Sequence, residues 1–368
     1  MAYKINMENA LSNRGNWSRL KQLMKRAQAG EKLTLGFLGG SITQGCLASS
    51  PELCYAFRVY EWWRKTFPQA EFEYVNAGIG GTTSQFGAAR VDDDLLDFEP
   101  DFVIIEFSVN DTSTEHFRET YEGVVRRVYG SKKQPAVLIV HNVYYDSGAN
   151  AQLQHARVGR HYDLPCVSMQ SSIFPEVVAG HIENREITED DLHPNDTGHG
   201  LVASVICYFL QKVLDDIEQP EDAVLLAKPL TENSYEFSKR YRNDNISPKL
   251  EGFFADEAAQ DGITDVFKRG WYASEKGSRI TFAIEGTGIS VQYKRGVACH
   301  APTVKVMVDG NPATERILSG NFLNGWGDEL ALETITEHDE KKVHTVTVEL
   351  IESGENPFYL VSILGTCN

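Results

Sequence analysis

The feature that most constrains this chain is a regular alternation between residues 33 and 217. Five short runs, apolar and rich in β-branched residues, read as strands: LTLGFLG (33–39), EFEYVNA (71–77), DFVIIEFSV (101–109), PAVLIVHNV (135–143) and PCVSM (165–169). Longer stretches with helical spacing lie between them, at 55–67, 85–96, 117–129 and 151–161, and a last one at 199–217 closes the series. Runs that are apolar throughout belong to strands covered on both faces, and the intervening helices supply that cover. The pattern predicts one doubly wound α/β domain built on an open parallel sheet.

From 218 the texture changes. EQPEDAVLLAKPLTE (218–232) carries two prolines and no long periodic helix. Beyond it, RITFAIEGTGISVQYKRG turns on Gly286 and Gly288, TVKVMVDGNPA carries an Asp-Gly turn, and KKVHTVTVELIES is a β-branched run. Short strands at this spacing predict a β-sandwich or jelly roll. The expected domains are therefore 1–220 and 221–368, as the length of 368 residues also suggests.

The charge excludes some partners. With 35 Lys+Arg against 52 Asp+Glu the net charge is −17, which opposes binding to nucleic acid or to an anionic membrane face. The N-terminal thirty residues are polar, with no secretory h-region, and no stretch is long and apolar enough to suggest a membrane span. Cys46, Cys54, Cys166, Cys207, Cys299 and Cys367 show no CxxC spacing, so they read as reduced thiols in a cytoplasmic protein with no zinc site. The acidic run 92–94 reads as a solvated helix face.

Four segments can carry chemistry. Gly39-Gly40-Ser41-Ile42-Thr43-Gln44-Gly45 lies where the first strand ends and a helix begins. A serine there projects its hydroxyl above the carboxyl edge of the sheet, where open α/β folds hold ligands. The segment lacks the lysine of a P-loop, and the turn 78–83 lacks the third glycine of a dinucleotide fingerprint. Asp190 and His193, three apart before the closing helix, can fold back so that the carboxylate meets the ring. A serine is a poor nucleophile unless an imidazole takes its proton and a third group orients that imidazole. Ser41, the 76–81 loop and Asn110 follow three successive strands, so their polar groups share one rim. The Ser41 and Gly81 N–H groups and the Asn110 amide are the kinds of donor that an anionic tetrahedral intermediate needs.

In the order GGSIT, NAGIGG, SVND and DLHP, the chain resembles the SGNH (GDSL-type) hydrolases, serine esterases with a flavodoxin-like α/β fold. The resemblance implies Ser41 as nucleophile, Gly81 and Asn110 as oxyanion donors beside the Ser41 N–H, and Asp190 and His193 as the other triad members. One residue departs from the family pattern: the Asp that usually precedes the serine is Gly40 here. A GGSIT-type hydrolase followed by a β-sandwich is similar to the acetyl-mannan esterases of carbohydrate esterase family seventeen, which carry a carbohydrate-binding-type module after the catalytic domain. That likeness implies an acetylated manno-oligosaccharide substrate and no metal or organic cofactor. An esterase of the same fold acting on other acyl esters, or a noncatalytic carbohydrate-binding protein, are the alternative readings.

For the sugar, His141, Tyr144 and Tyr145 follow the fourth strand, where each either packs within its loop or stacks on a pyranose. In the second domain, the loop 321–328 carries Asn324 and sets Trp326 between two glycines. That Trp either packs under its own sandwich or faces outward as a sugar platform, with the loop leaning over Ser41 as a clamp. His116, His155, His161, His181 and His199 read as structural, and Trp62 and Trp63 as core.

Overall fold

The computed structural model describes residues 3–297 and 301–367, so Cys299 lies outside the described residues. Chain contacts divide the protein into two compact units, one of residues 1–87 and 91–233, the other of residues 88–90 and 234–368.

The first unit is built on strands β1 (Leu11–Asn13), β2 (Lys32–Gly39), β3 (Glu71–Gly78), β4 (Phe102–Glu106), β5 (Ala136–His141) and β6 (Cys166–Ser168), in the order β1-β6-β5-β4-β2-β3. All neighbours are parallel except β1, an antiparallel edge on β6. Without β1 this is the doubly wound flavodoxin-like order, with its switch point between β2 and β4. The three-residue β1 is too short for a readable alternation, and the sequence pattern did not signal it. Helices α1 (Ser18–Gln28), α2 (Ser41–Gln44), α3 (Tyr55–Thr66), α4 (Ser84–Asp94, apart from its residues 88–90), α5 (Glu115–Tyr129), α6 (Gln152–His161), α7 (Ile173–Val178), α8 (Asn184–Ile187) and α9 (Asp196–Asp215) complete the unit.

Residues of β2, β4 and β5 are buried almost without exception, as strands covered on two faces must be. On one face Leu35, Phe37, Ile104, Leu138 and Val140 join Leu20, Met24, Trp63, Ile206 and Phe209 in a single core. Register then places the site. Gly39 pairs with Gly78 on one side and with Glu106 on the other, so β2, β3 and β4 end level with one another. The loops that follow them open on one rim.

The sequence sets the domain boundary at 220/221, whereas the contacts divide at 233/234. The reason is local. Glu122 on α5 accepts from the Leu230 N–H at 2.6 Å and the Thr231 N–H at 2.8 Å, and Arg126 donates to the Ala227 carbonyl at 2.8 Å. These bonds tie the proline-bearing segment to the first unit.

The second unit is a sandwich of antiparallel sheets. One has the order β15 (Glu329–Thr336), β12 (Gly288–Arg295), β17 (Phe358–Thr366), β10 (Trp271–Ala273), β9 (Phe254–Ala255), with β7 (Lys239–Tyr241) also on β17. The other has the order β14 (Arg316–Ser319), β13 (Thr303–Val308), β16 (Lys342–Leu350), β11 (Arg279–Gly286), β8 (Lys249–Glu251). Alternate residues turn inward, as a period of two requires: Ile280, Phe282 and Ile284, Val304, Val306 and Val308, and Val346, Val348 and Leu350 meet Ile289, Val291, Leu360 and Ile363.

Candidate active site

Ser41 opens α2 directly after Gly40, the N-cap that follows β2, and is 7% exposed. The His193 Nε2 lies 2.8 Å from Ser41 Oγ, and its Nδ1 lies 2.6 Å from Asp190 Oδ2. The three side chains thus form a relay spanning 152 residues of chain.

The turn 190–193 is held from several sides. The His193 and Leu192 N–H groups donate to Asp190 Oδ1 at 2.7 and 3.1 Å. Asp191 takes a left-handed φ of 67°, its carboxylate accepts from Arg185 and Asn184, and its carbonyl accepts from the Tyr145 N–H. Partial burial pushes the Asp190 carboxyl up, but hydrogen bonds from the His193 ring and from the His193 and Leu192 N–H groups outweigh it and leave it below its ordinary value. An ionised carboxylate at Nδ1 keeps the proton on that nitrogen and leaves Nε2 to face the hydroxyl. Asn195 caps α9 by accepting from the Thr197 and Gly198 N–H groups, which sets where the His193 turn ends.

The 76–81 loop is laced to α2. Asn76 donates to the Thr43 carbonyl at 2.8 Å, and the Gly80 N–H donates to Gln44 Oε1 at 2.6 Å. A Cβ on Gly78 would sit 2.2 Å from the Gln44 nitrogen, so a side chain there would push the loop off the helix. Gly81 turns at a φ of 68°, a conformation that glycine adopts without strain. Asn110 closes the group from the third loop: a Cβ added to Gly40 would meet its Oδ1 at 2.2 Å. A side chain at position 40 would have to displace the Asn110 amide.

The proposed sugar residues divide. His141 and Tyr145 are buried, at 0% and 3% exposed, which leaves neither ring a face open for stacking. His141 is still within β5, and strand alternation sends its ring beneath the helix layer, 6.1 Å from His155. There burial holds its imidazole well below the ordinary value. Tyr145 packs in the main core. Tyr144 is half-buried, and Asp146 and Asp190 lie near enough that their charge adds to burial in raising its phenol. In the second unit the base of the 321–328 loop is fastened, with the Phe322 N–H on the Gly296 carbonyl at 2.8 Å and Arg295 over the Phe322 ring. Its tip is open: Asn324 is exposed at a φ of 61°, and Trp326 is 75% exposed, its ring nearly perpendicular to that of Phe322. Of the two placements open to Trp326, the outward one is observed.

Three polar residues of this region have partners that the sequence does not show. Glu106, last in β4, is fully buried, and burial raises its carboxyl from 4.5 to about 7 although Ser108 donates to it. His199 accepts from the Tyr55 N–H at 3.3 Å and donates to the Cys46 carbonyl at 3.1 Å, which fastens α9 to the turn after Ser41. Asp111, next to Asn110, meets His155 at 2.9 Å. In the sequence Glu106 only closes an apolar run, Asp111 ends the SVND block and His199 reads as structural; burial is what gives each its consequence. Among the described residues, no group of three or more His, Cys, Asp or Glu is arranged to hold a metal, and no helix is long and apolar enough to cross a membrane.

Comparison with known proteins places these features in a wider group. The profile of the GDSL-like lipase/acylhydrolase family matches residues 37–201, which contain Ser41, Gly81, Asn110, Asp190 and His193. An arylesterase of Vibrio mimicus is 25% identical over 211 residues, covering 52% of this chain and 94% of its own. The thioesterase 1/protease 1/lysophospholipase L1 of Escherichia coli K12 is 24% identical over 191 residues, covering 50% of this chain and 85% of its own. Among solved structures, a two-domain esterase (CEX) active on acetylated mannans is 60% identical, covers 99% of each chain and superposes with a TM-score of 0.97. A crystal of such an esterase grown with mannopentaose gives 61% identity, covers 100% of this chain and 99% of the other, and has a TM-score of 0.94.

Proposed function

Because the chain belongs to the GDSL-like lipase/acylhydrolase family, we propose that it is a serine esterase that removes O-acetyl groups from manno-oligosaccharides. The observation that carries the chemistry is the relay Ser41 Oγ, His193 Nε2 and Nδ1, Asp190 Oδ2, at 2.8 and 2.6 Å. The substrate class rests on 60% identity over the whole chain to an esterase active on acetylated mannans.

In this reading His193 takes the Ser41 proton as Oγ attacks the acetyl carbonyl, and Asp190 steadies the resulting imidazolium. The carbonyl oxygen becomes an oxyanion facing the N–H groups of Ser41 and Gly81 and the Asn110 amide. His193 then hands its proton to the departing sugar oxygen. Water, deprotonated by the same imidazole, releases acetate from the acyl-serine. To take that proton the His193 imidazole must be neutral at Nε2.

Trp326, carried on an exposed loop tip, offers a flat apolar face of the kind that stacks on a pyranose, and with Asn324 it is the best candidate for holding the saccharide. Tyr144 is the remaining candidate in the first unit. The sandwich as a carbohydrate-binding module and a cytoplasmic setting belong to the same proposal; activity in a soluble cell extract rather than in the medium would support the latter.

Acetate release from acetylated mannan, set beside a series of nitrophenyl esters of increasing chain length, tests the substrate. The proposal expects release from mannan and a preference for acetyl. A preference for long acyl chains with intact mannan acetyls would favour a lipase or thioesterase reading instead.

A further inference from the structure

We infer that Asp111 is a positioning residue for the oxyanion donors, joining the loop that carries Gly81 to the loop that carries Asn110. This inference rests on the esterase reading above and extends it to a residue one step behind the site.

The argument begins with what holds Gly81. On its upstream side, the Gly80 N–H is fixed to Gln44 of the helix that begins with Ser41. On its downstream side, the Thr82 hydroxyl closes a tight turn on the Ile79 carbonyl at 2.6 Å, and the Ser84 N–H, first in α4, donates to Asp111 Oδ1 at 2.9 Å. Gly81 is thus held between two side-chain staples. Asp111 directly follows Asn110, and both N–H groups turn onto the Phe107 carbonyl, at 3.0 and 3.1 Å. A bond from Ser84 to Asp111 therefore sets the spacing between two of the three donors. Through Gly40, which the Asn110 amide overlies, the ring closes on Ser41.

Asp111 is itself held. Its other oxygen accepts from His155 Nε2 at 2.9 Å, and both side chains have no exposure. The His155 ring lies flat on Tyr121, with centroids 3.6 Å apart and planes 7° apart, so α5 and α6 together fix the direction from which Asp111 is held. A carboxyl group this deeply buried, and bonded to a loop N–H on one oxygen and a ring N–H on the other, has little freedom to turn. Donors must be in place before charge develops, and misplacement by about 1 Å can cost about 10²-fold in rate.

Ser84 provides a clean probe. Proline suits the first position of a helix, and Thr83 before it is extended, at φ −94° and ψ 171°, as a residue before proline prefers. Ser84→Pro therefore deletes the N–H that meets Asp111. Thr120→Val deletes the hydroxyl that meets Ser84 Oγ at 2.6 Å and leaves that N–H alone.

The test measures kcat and KM on nitrophenyl acetate for Ser84→Pro, Thr120→Val, Asp111→Ala, Asn110→Ala, the Asn110→Ala/Asp111→Ala double variant and Ser41→Ala. Ser84→Pro and Asp111→Ala should each lower kcat about 10²-fold with KM within about threefold. Thr120→Val should stay near wild type, and the double variant should fall little below Asn110→Ala alone, because the two substitutions damage one device. A wild-type kcat in Ser84→Pro, an equal loss in Thr120→Val, or losses that multiply in full in the double variant would overturn the inference. If Asp111→Ala does not fold, Ser84→Pro decides alone. Substantial activity in Ser41→Ala would instead overturn the esterase reading beneath it.

Discussion

At the scale of single residues, the site is an exercise in removing side chains so that others can approach. Gly40 has no Cβ where the Asn110 amide lies, and Gly78 has none where the backbone of α2 lies. Gly40→Ala is expected to displace the Asn110 amide and cost an oxyanion donor, roughly 10²–10³ in kcat with a smaller change in KM. Steady-state kinetics on nitrophenyl acetate would show it; an unaltered kcat would mean that Asn110 is not placed by this contact. Ser41, Gly81 and Asn110 stand out in the chain because they follow three successive strands, and Asp190 and His193 because they lie three apart before the closing helix. The burial of His141 and Tyr145 was not legible. His141 turns inward as the last residue of β5 and Tyr145, four residues on, packs in the core, which the apolar run 135–143 does not reveal.

At the scale of elements, two buried titratable groups brace the strands and helices around the site with opposite consequences. Burial raises Glu106, at the end of β4, from 4.5 to about 7. The folded state holds its proton more tightly than the unfolded chain does, so its contribution is full below pH 4.5 and is lost as pH rises through 7. Burial lowers His199, in the first turn of α9, from 6.5 to about 4. Its contribution is full above pH 6.5 and is lost as pH falls through 4. Each is worth about 3 kcal/mol, and between pH 4.5 and 6.5 their slopes oppose. Glu106→Gln should therefore be more stable than wild type by up to about 3 kcal/mol near pH 8 and equal to it near pH 4, measured by urea unfolding. Equal stabilities at both would contradict the assignment. Glu106 was not legible in the sequence, where it is one polar residue closing an apolar run; His199 reads there as a structural histidine, and the structure adds its burial and partners.

At the scale of the whole molecule, two kinds of periodicity sit in one chain, and the change from alternating strands and helices to all-β texture was plain in the sequence. The parallel sheet, its covered faces and the sandwich all follow from patterning. The edge strand β1 and the attachment of 222–231 to α5 do not, because a three-residue pairing and bonds to backbone groups leave no periodic trace. The second unit presents Trp326 on an open tip. Trp326→Ala should lower kcat/KM on acetylated manno-oligosaccharides several-fold while leaving nitrophenyl acetate hydrolysis unchanged, since a small ester has no pyranose to stack. Equal kinetics on both substrates would remove this residue from saccharide binding.

The account depends most on Ser41 being the group that is acylated. Reaction with an organophosphorus ester, followed by peptide mass spectrometry, tests this directly. The label is expected on the peptide containing Ser41, with parallel loss of acetate release from acetylated mannan, and the labelling rate is expected to collapse in His193→Ala. Label on another residue with activity lost, or full labelling of Ser41 with hydrolysis undiminished, would contradict it.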